Sequence, residues 1–136
     1  MPQLDEMQRV FAGIPANERL GLRLVDASDG SAVVAMAADE RYRQEAGVVH
    51  GGVIGAVADT AAAYALIGGI RPGEQMIGVE YKINFLRSAV PGGEDLIANA
   101  RVRKRGRTIS VCDVDVTQAA EVVATGVFTY VSRQVA

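Results

Sequence analysis

The chain opens on a helical pattern. Leu4, Met7, Val10 and Phe11 recur three and four positions apart over Pro2 to Ala12, on one helix face, and Gly13 follows as a stop. The period then drops to two. Leu20 to Ala27 and Ala32 to Ala38 predict two strands, joined by the turn Ser28-Asp29-Gly30-Ser31. From Gly51 to Gly68 the chain is apolar on nearly every face, which predicts a helix buried on most sides. The run Gly68-Gly69-Ile70-Arg71-Pro72-Gly73 breaks it. Ile77, Val79, Tyr81, Ile83 and Phe85 then alternate with Gly78, Glu80, Lys82 and Asn84, the cleanest strand in the sequence. Leu96, Ala98, Ala100 and Val102 mark another. Arg105-Gly106 turns into a strand over Arg107 to Thr117, whose apolar phase shifts between Val111 and Cys112 and predicts a bulge or burial on both faces. A last strand runs from about Glu121 to Val131.

Six strands and one long helix, inserted after the second strand, predict an α+β fold. A six-stranded antiparallel sheet wraps one long central helix, and the second half of the chain is a meander. At 136 residues the chain is expected to form a single domain over 1–136, with an N-terminal helix over 1–13 and the central helix over 51–68. Composition sharpens this picture: 21 Ala and 19 Val, against three Phe and no Trp, favour close helix-on-sheet packing over large aromatic anchors. The segment Ala46 to Ile70 is the one stretch that suggests a membrane span. Its glycines and its central Asp59 favour a buried core helix instead. The N-terminus, MPQLDEMQRV, carries no secretory pattern, so a cytoplasmic location is expected. A net charge of −2 gives no nucleic-acid footprint. One Cys and one His exclude disulfides, cysteine-type zinc sites and histidine clusters, so no metal is expected.

Asp59 is the only residue between Ala46 and Ile70 charged at neutral pH. A buried carboxylate without a partner costs several kcal/mol, so it needs a partner or a role. Capping a neighbouring element, or reaching solvent, would satisfy it equally. At the head of the same helix stands Val49-His50-Gly51-Gly52. Amides there are unpaired, the helix dipole favours negative charge, and glycine lets a ligand approach the backbone, as an oxyanion hole requires. A loop-to-helix junction also uses glycine for its dihedrals alone, and a lone histidine is commonly structural. Gly51 and Asp59 are eight residues apart, about 12 Å of rise and about 80° of rotation on one helix. A base and an oxyanion donor must lie within about 3–4 Å of one reacting group. If both are catalytic, they must meet across a two-fold interface, one from each subunit.

The run Gln44-Glu45-Ala46-Gly47-Val48-Val49-His50-Gly51-Gly52, followed by Asp59, resembles the hotdog-fold acyl-CoA thioesterases of the PaaI and 4-hydroxybenzoyl-CoA thioesterase type. Arg103-Lys104-Arg105-Gly106-Arg107-Thr108 is similar to a later element of that family. The resemblance runs from about Leu20 to Val131. It implies hydrolysis of an acyl-CoA by a homodimer, expected to pair into a homotetramer, with coenzyme A as part of the substrate and no separate cofactor. Gly51 would donate its N–H to the thioester oxygen. Asp59 of the other subunit would serve as general base or nucleophile. His50 would help hold the loop and polarise the carbonyl region, and Gln44 would orient the carbonyl or the attacking water. Family members often carry a Ser or Thr opposite the acid near the start of the third strand; here Met76-Ile77-Gly78-Val79 offers no hydroxyl.

Coenzyme A carries several phosphate charges. Arg87, Arg103, Lys104, Arg105 and Arg107 are the main basic concentration, and Arg87, Arg103, Lys104 and Arg107 are candidate phosphate contacts. The alternative for each is an ordinary solvated charge. Gly52 is a further candidate contact, and Tyr64 and Met76 are candidate pocket walls. Cys112, between Val111 and Asp113, reads as a packing residue. No nucleophile elbow, phosphate loop or dinucleotide fingerprint is present. Two other activities fit the pattern: a hotdog enoyl-thioester hydratase or dehydratase, and a non-catalytic acyl-CoA binding module.

Overall fold

The computed structural model describes residues 2–135; Met1 and Ala136, inside the expected domain 1–136, lie outside the described residues. Helix α1 (Leu4–Ala12) buries Met7 and Phe11, while Val10, on the face expected to be covered, is 62% exposed. A second short helix, α2 (Pro15–Leu20), was not expected; Pro15 starts it and Gly21, in the left-handed conformation, ends it. Strand β1 (Leu22–Ser28) therefore begins two residues later than the periodicity suggested. It pairs with β2 (Ser31–Met36). A 3-10 turn (Glu40–Tyr42) leads to α3 (Gly51–Ile67). Then come β3 (Glu74–Phe85), β4 (Leu96–Arg105), β5 (Ile109–Gln118) and β6 (Glu121–Gln134). They form one antiparallel sheet in the order β1-β2-β4-β5-β6-β3. The sheet curls around α3, whose Ile54, Val57, Ala58, Ala61, Ala62, Ala65 and Leu66 are buried against it. This is the expected hotdog arrangement.

Two details differ from the sequence pattern. The clean alternation of β3 hides a bulge at Val79: Gly78 pairs with Tyr130 and Glu80 with Thr129. The extra residue reverses the phase. Gly78, Tyr81, Ile83 and Phe85 thus share the inner face with their partners, while Ile77 pairs with the outward Val131. In the next hairpin the bulge sits on β4 at Arg103, not on β5. Strand β5 alternates without interruption, with Ser110, Cys112, Val114, Val116 and Gln118 inward. The phase shift in the sequence arose because the inward position next to Val111 is the polar Ser110.

Helix α3 carries no acid in its first turn and no base in its last. The sheet closes its C-terminal end instead. Gly30 N–H donates to Ala65 O at 3.1 Å, and Arg105 Nη1 donates to Leu66 O at 3.1 Å while Nη2 pairs with Asp29 at 2.9 Å. A guanidinium against the last carbonyls also opposes the negative end of the helix dipole. Its tip lies where a side chain on Gly69 would begin, 2.2 Å from a Cβ built there.

The β5–β6 hairpin turns on Ala119 and Ala120, both with positive φ, at 52° and 64°. A two-residue loop of this kind favours Asn-Gly, and alanine pays a steric penalty for left-handed backbone. Ala119→Asn combined with Ala120→Gly is expected to stabilise the fold by about 1–2 kcal/mol, raising Tm by about 3–6 °C. A thermal melt followed by circular dichroism checks this; a Tm that stays level or falls would show that the turn is unstrained.

Candidate active site

The loop before α3 is held from both sides. Val49 N–H donates to Ala89 O at 3.0 Å, and His50 N–H to Tyr42 O at 2.8 Å. Gln118 reaches across from the end of β5 to pin the segment carrying Ala89, accepting from Val90 N–H at 2.8 Å and donating to the carbonyls of Val90 and Glu94. His50 is the N-cap of α3, and its Nδ1 accepts from Gly52 N–H at 2.9 Å. The ring proton of the neutral imidazole therefore sits on Nε2. With Gly52 engaged, the amide of Gly51 is the first-turn donor left without an acceptor among the described residues. It stands beside Phe85, whose ring tip lies 2.9 Å from a Cβ built on Gly51. Only glycine at 51 allows that approach.

Asp59 is half-buried two turns further along α3. Its partner is Tyr130 on β6. The Tyr130 hydroxyl hydrogen-bonds the Asp59 carboxylate through Oδ1 and lies 2.8 Å from the Asp59 carbonyl oxygen. Burial, then the hydrogen bond and charge of Asp59, push the Tyr130 phenol far above its ordinary pKa. It remains protonated and donates. Sequence reasoning missed Tyr130; the one available signal was its place in the inward phase of the last strand, two residues after Phe128. Tyr81 has only its place in the alternation of β3 to mark it in the sequence. It stacks on Phe128 with ring centroids 4.8 Å apart, and its hydroxyl lies 2.9 Å from a Cβ built on Gly55.

Six of the sequence-named residues line three separate cavities. Gln44, Gly51 and Arg87 line a cavity of about 410 Å³, with Phe85 and Leu86 in its wall. The Gln44 side-chain oxygen is already bound to Ala46 N–H, and Arg87 pairs with Glu121 at 2.8 Å. Tyr64 lies elsewhere. It packs edge-on against Phe11, centroids 4.9 Å apart, and lines an apolar cavity of about 440 Å³ under α1. Arg107 and Met76 line a third cavity, about 270 Å³, with Arg71, Arg105, Ser110 and Ser132. Arg103 is in none of these: it lies on the outer sheet face, paired with Asp113 at 2.9 Å through Nε, and holds that carboxyl below its ordinary range. Lys104 is exposed nearby. Within one chain, therefore, Gly51 and Asp59 line no common cavity, as their helical spacing requires.

The hotdog subunit, with a free amide at the head of its buried helix and a single carboxylate along it, carries groups that acyl-thioester chemistry uses. Comparison with known proteins agrees. A family model described as "Thioesterase superfamily" matches residues 46–125. Human acyl-coenzyme A thioesterase 13 is 30% identical over 99 residues, 73% of this chain and 69% of its own length. The 1,4-dihydroxy-2-naphthoyl-CoA hydrolase of Listeria monocytogenes is 31% identical over 104 residues, 76% of this chain and 83% of its own. The crystal structure of a thioesterase family protein from Silicibacter pomeroyi superposes with a TM-score of 0.86 at 28% identity, covering 96% of this chain and 98% of that one. The chain belongs to the thioesterase superfamily.

Cys112 stands apart from this chemistry. It is buried against α3, and burial pushes its thiol up to about 11. The native protein is expected to leave a thiol reagent such as DTNB unreacted at pH 8, and to titrate one thiol per chain once unfolded in guanidinium. Rapid labelling of the folded protein would contradict this packing role.

Proposed function

We propose that this protein hydrolyses an acyl-CoA thioester to a free acid and coenzyme A, at a site completed by two subunits of a homodimer. The observation that carries this is the unengaged Gly51 amide at the positive end of α3, opening on a cavity, with the one carboxylate of the helix too far along it to share that cavity. Relatives named as acyl-CoA hydrolases support a CoA ester as the substrate class.

Strand β3 supports the dimer. It is one of the two edge strands of the sheet and twelve residues long, and Ile77, Val79, Tyr81 and Phe85 on it are each more than 40% exposed. A long apolar edge of this kind is a template for another strand. On this strand Phe85 lies over Gly51, Tyr81 over Gly55, and Gly78 beside Tyr130, which holds Asp59. Antiparallel pairing of two β3 strands about an axis between Gly78 and Phe85 would bring the Asp59 end of one subunit against the partner's Gly51. The thioester carbonyl then accepts from Gly51 N–H, and Asp59 deprotonates the attacking water or attacks the carbonyl itself. His50 fixes the loop by taking the neighbouring amide, and Gln44 faces the same cavity. The phosphates of coenzyme A find guanidinium groups at the cavity of Arg71, Arg105 and Arg107, where Arg71 is paired with Glu74 and Arg105 with Asp29. Such an oxyanion contact contributes about 3–4 kcal/mol to the transition state, and a general base about 10²–10⁴ in rate. Pairing of two dimers into a homotetramer, and a cytoplasmic setting, complete the proposal; no helix among the described residues is long and apolar enough to cross a membrane.

A thiol-release assay over a panel of aryl-, short- and medium-chain acyl-CoAs tests the activity. Asp59→Asn is expected to lower kcat about 10²–10⁴-fold with the melting temperature preserved. Mixed dimers of Asp59→Asn with Gly51→Pro subunits should recover activity, because one site regains both groups; proline is tolerated at the first helical position, where only the tip of Phe85 must move. Verified heterodimers with no recovery would refute the shared site.

A further inference from the structure

Strand β6 brings a hydroxyl to the only carboxylate of α3. Tyr130 is 5% exposed, and its phenol reaches Asp59 from the inner face of the sheet. Three features of the fold converge on this contact. The bulge at Val79 sets the phase of β3 so that Gly78, not a side chain, lies opposite Tyr130. A Cβ built on Gly78 would come 3.3 Å from the Tyr130 ring, so the absent side chain leaves the ring its room. Below, Phe128 is fixed by stacking on Tyr81, which holds the β3–β6 pair in place next to the phenol. Among the described residues Tyr130 is the only side chain donating to the Asp59 carboxylate, and it engages Oδ1 alone. Oδ2 accepts no hydrogen bond among the described residues and is not sealed from solvent.

We infer that Tyr130 is a positioning residue for hydrolysis: its hydroxyl fixes the rotamer of the Asp59 carboxylate so that one oxygen is presented to the reacting thioester. This rests on Asp59 acting as the acid group of the reaction. A carboxylate on a helix otherwise samples several rotamers, and misplacement by about 1 Å can lower a rate by about a hundredfold. The third strand offers no hydroxyl at Gly78, and the hydroxyl comes from the neighbouring strand instead.

The test is steady-state kinetics of thiol release with Tyr130→Phe, Asp59→Asn and the double variant. Tyr130→Phe is expected to lower kcat about 10- to 100-fold and to leave KM within about threefold, because the phenol touches the carboxylate and not the substrate. The double variant should be no slower than Asp59→Asn alone, since Tyr130 acts only through Asp59; a merely structural role would make the two losses multiply. Full kcat in Tyr130→Phe beside an inactive Asp59→Asn overturns the positioning role and leaves the hydrolytic reading standing. Full activity in Asp59→Asn overturns both. Should Tyr130→Phe fail to fold, 3,5-difluorotyrosine at 130 keeps the ring and the hydroxyl while changing donor strength. A kcat that follows this substitution supports the assignment, and one that ignores it overturns it.

Discussion

A seventeen-residue helix that carries no capping charge of its own must have its ends satisfied by other segments, and most of this structure follows from that constraint. The C-terminal carbonyls of α3 are met by the β1–β2 turn and by Arg105 from the β4–β5 hairpin. At the other end, His50 takes the Gly52 amide and that of Gly51 is left open. The asymmetry matters. A helix sealed at its negative end and only partly sealed at its positive end offers an anion-stabilising dipole at one place, and the cavity beside Gly51 lies there.

Close approach is the second requirement. Glycine at 51 and 55, one turn apart, lets Phe85 and Tyr81 of β3 sit directly over the helix, and alanine at 58, 61, 62 and 65 does the same for the centre of the sheet. The apolar area gained per residue is small, but the fit is tight, as expected of interiors packed at crystal-like density. The one carboxylate in this packing is reached by a phenol from β6, the strand next to the β3 edge of the sheet. Burial of a charge is thus reconciled with a hydrogen bond instead of a salt bridge, which leaves the carboxylate chemically available.

Much of this was legible in the residues. The unbroken apolar run from Gly51 announced the central helix, and two-residue periodicity announced the strands. The His50-Gly51-Gly52 start and Asp59 stood out because nothing else in the helix is polar enough to compete. What stayed hidden depends on pairing between distant segments. The alternation from Ile77 to Phe85 looks perfect because Val79 is apolar, yet it is the bulged residue, and only the register with β6 reveals the reversal. Tyr130 lies 71 residues from Asp59 and has no local pattern that marks it as a partner. Helix α2 is too short for periodicity to register, and only Pro15 and Gly21 betray it. The arginines were equally opaque: Arg103 and Arg107 are alike in sequence, but one is paired on the outer face and the other lines a cavity.

The borrowed caps of α3 also bear on the order in which the molecule can assemble. Gly30 lies 35 residues before the carbonyl it satisfies, and Arg105 is 39 residues beyond its own. The helix segment alone, with three glycines, several β-branched residues and no end groups of its own, has little reason to persist in water. It becomes worth forming only when hairpins from both sides of the chain have closed over it. Loop closures that large must be made before their contacts repay them, so helix and sheet are expected to consolidate together in one cooperative, comparatively slow step.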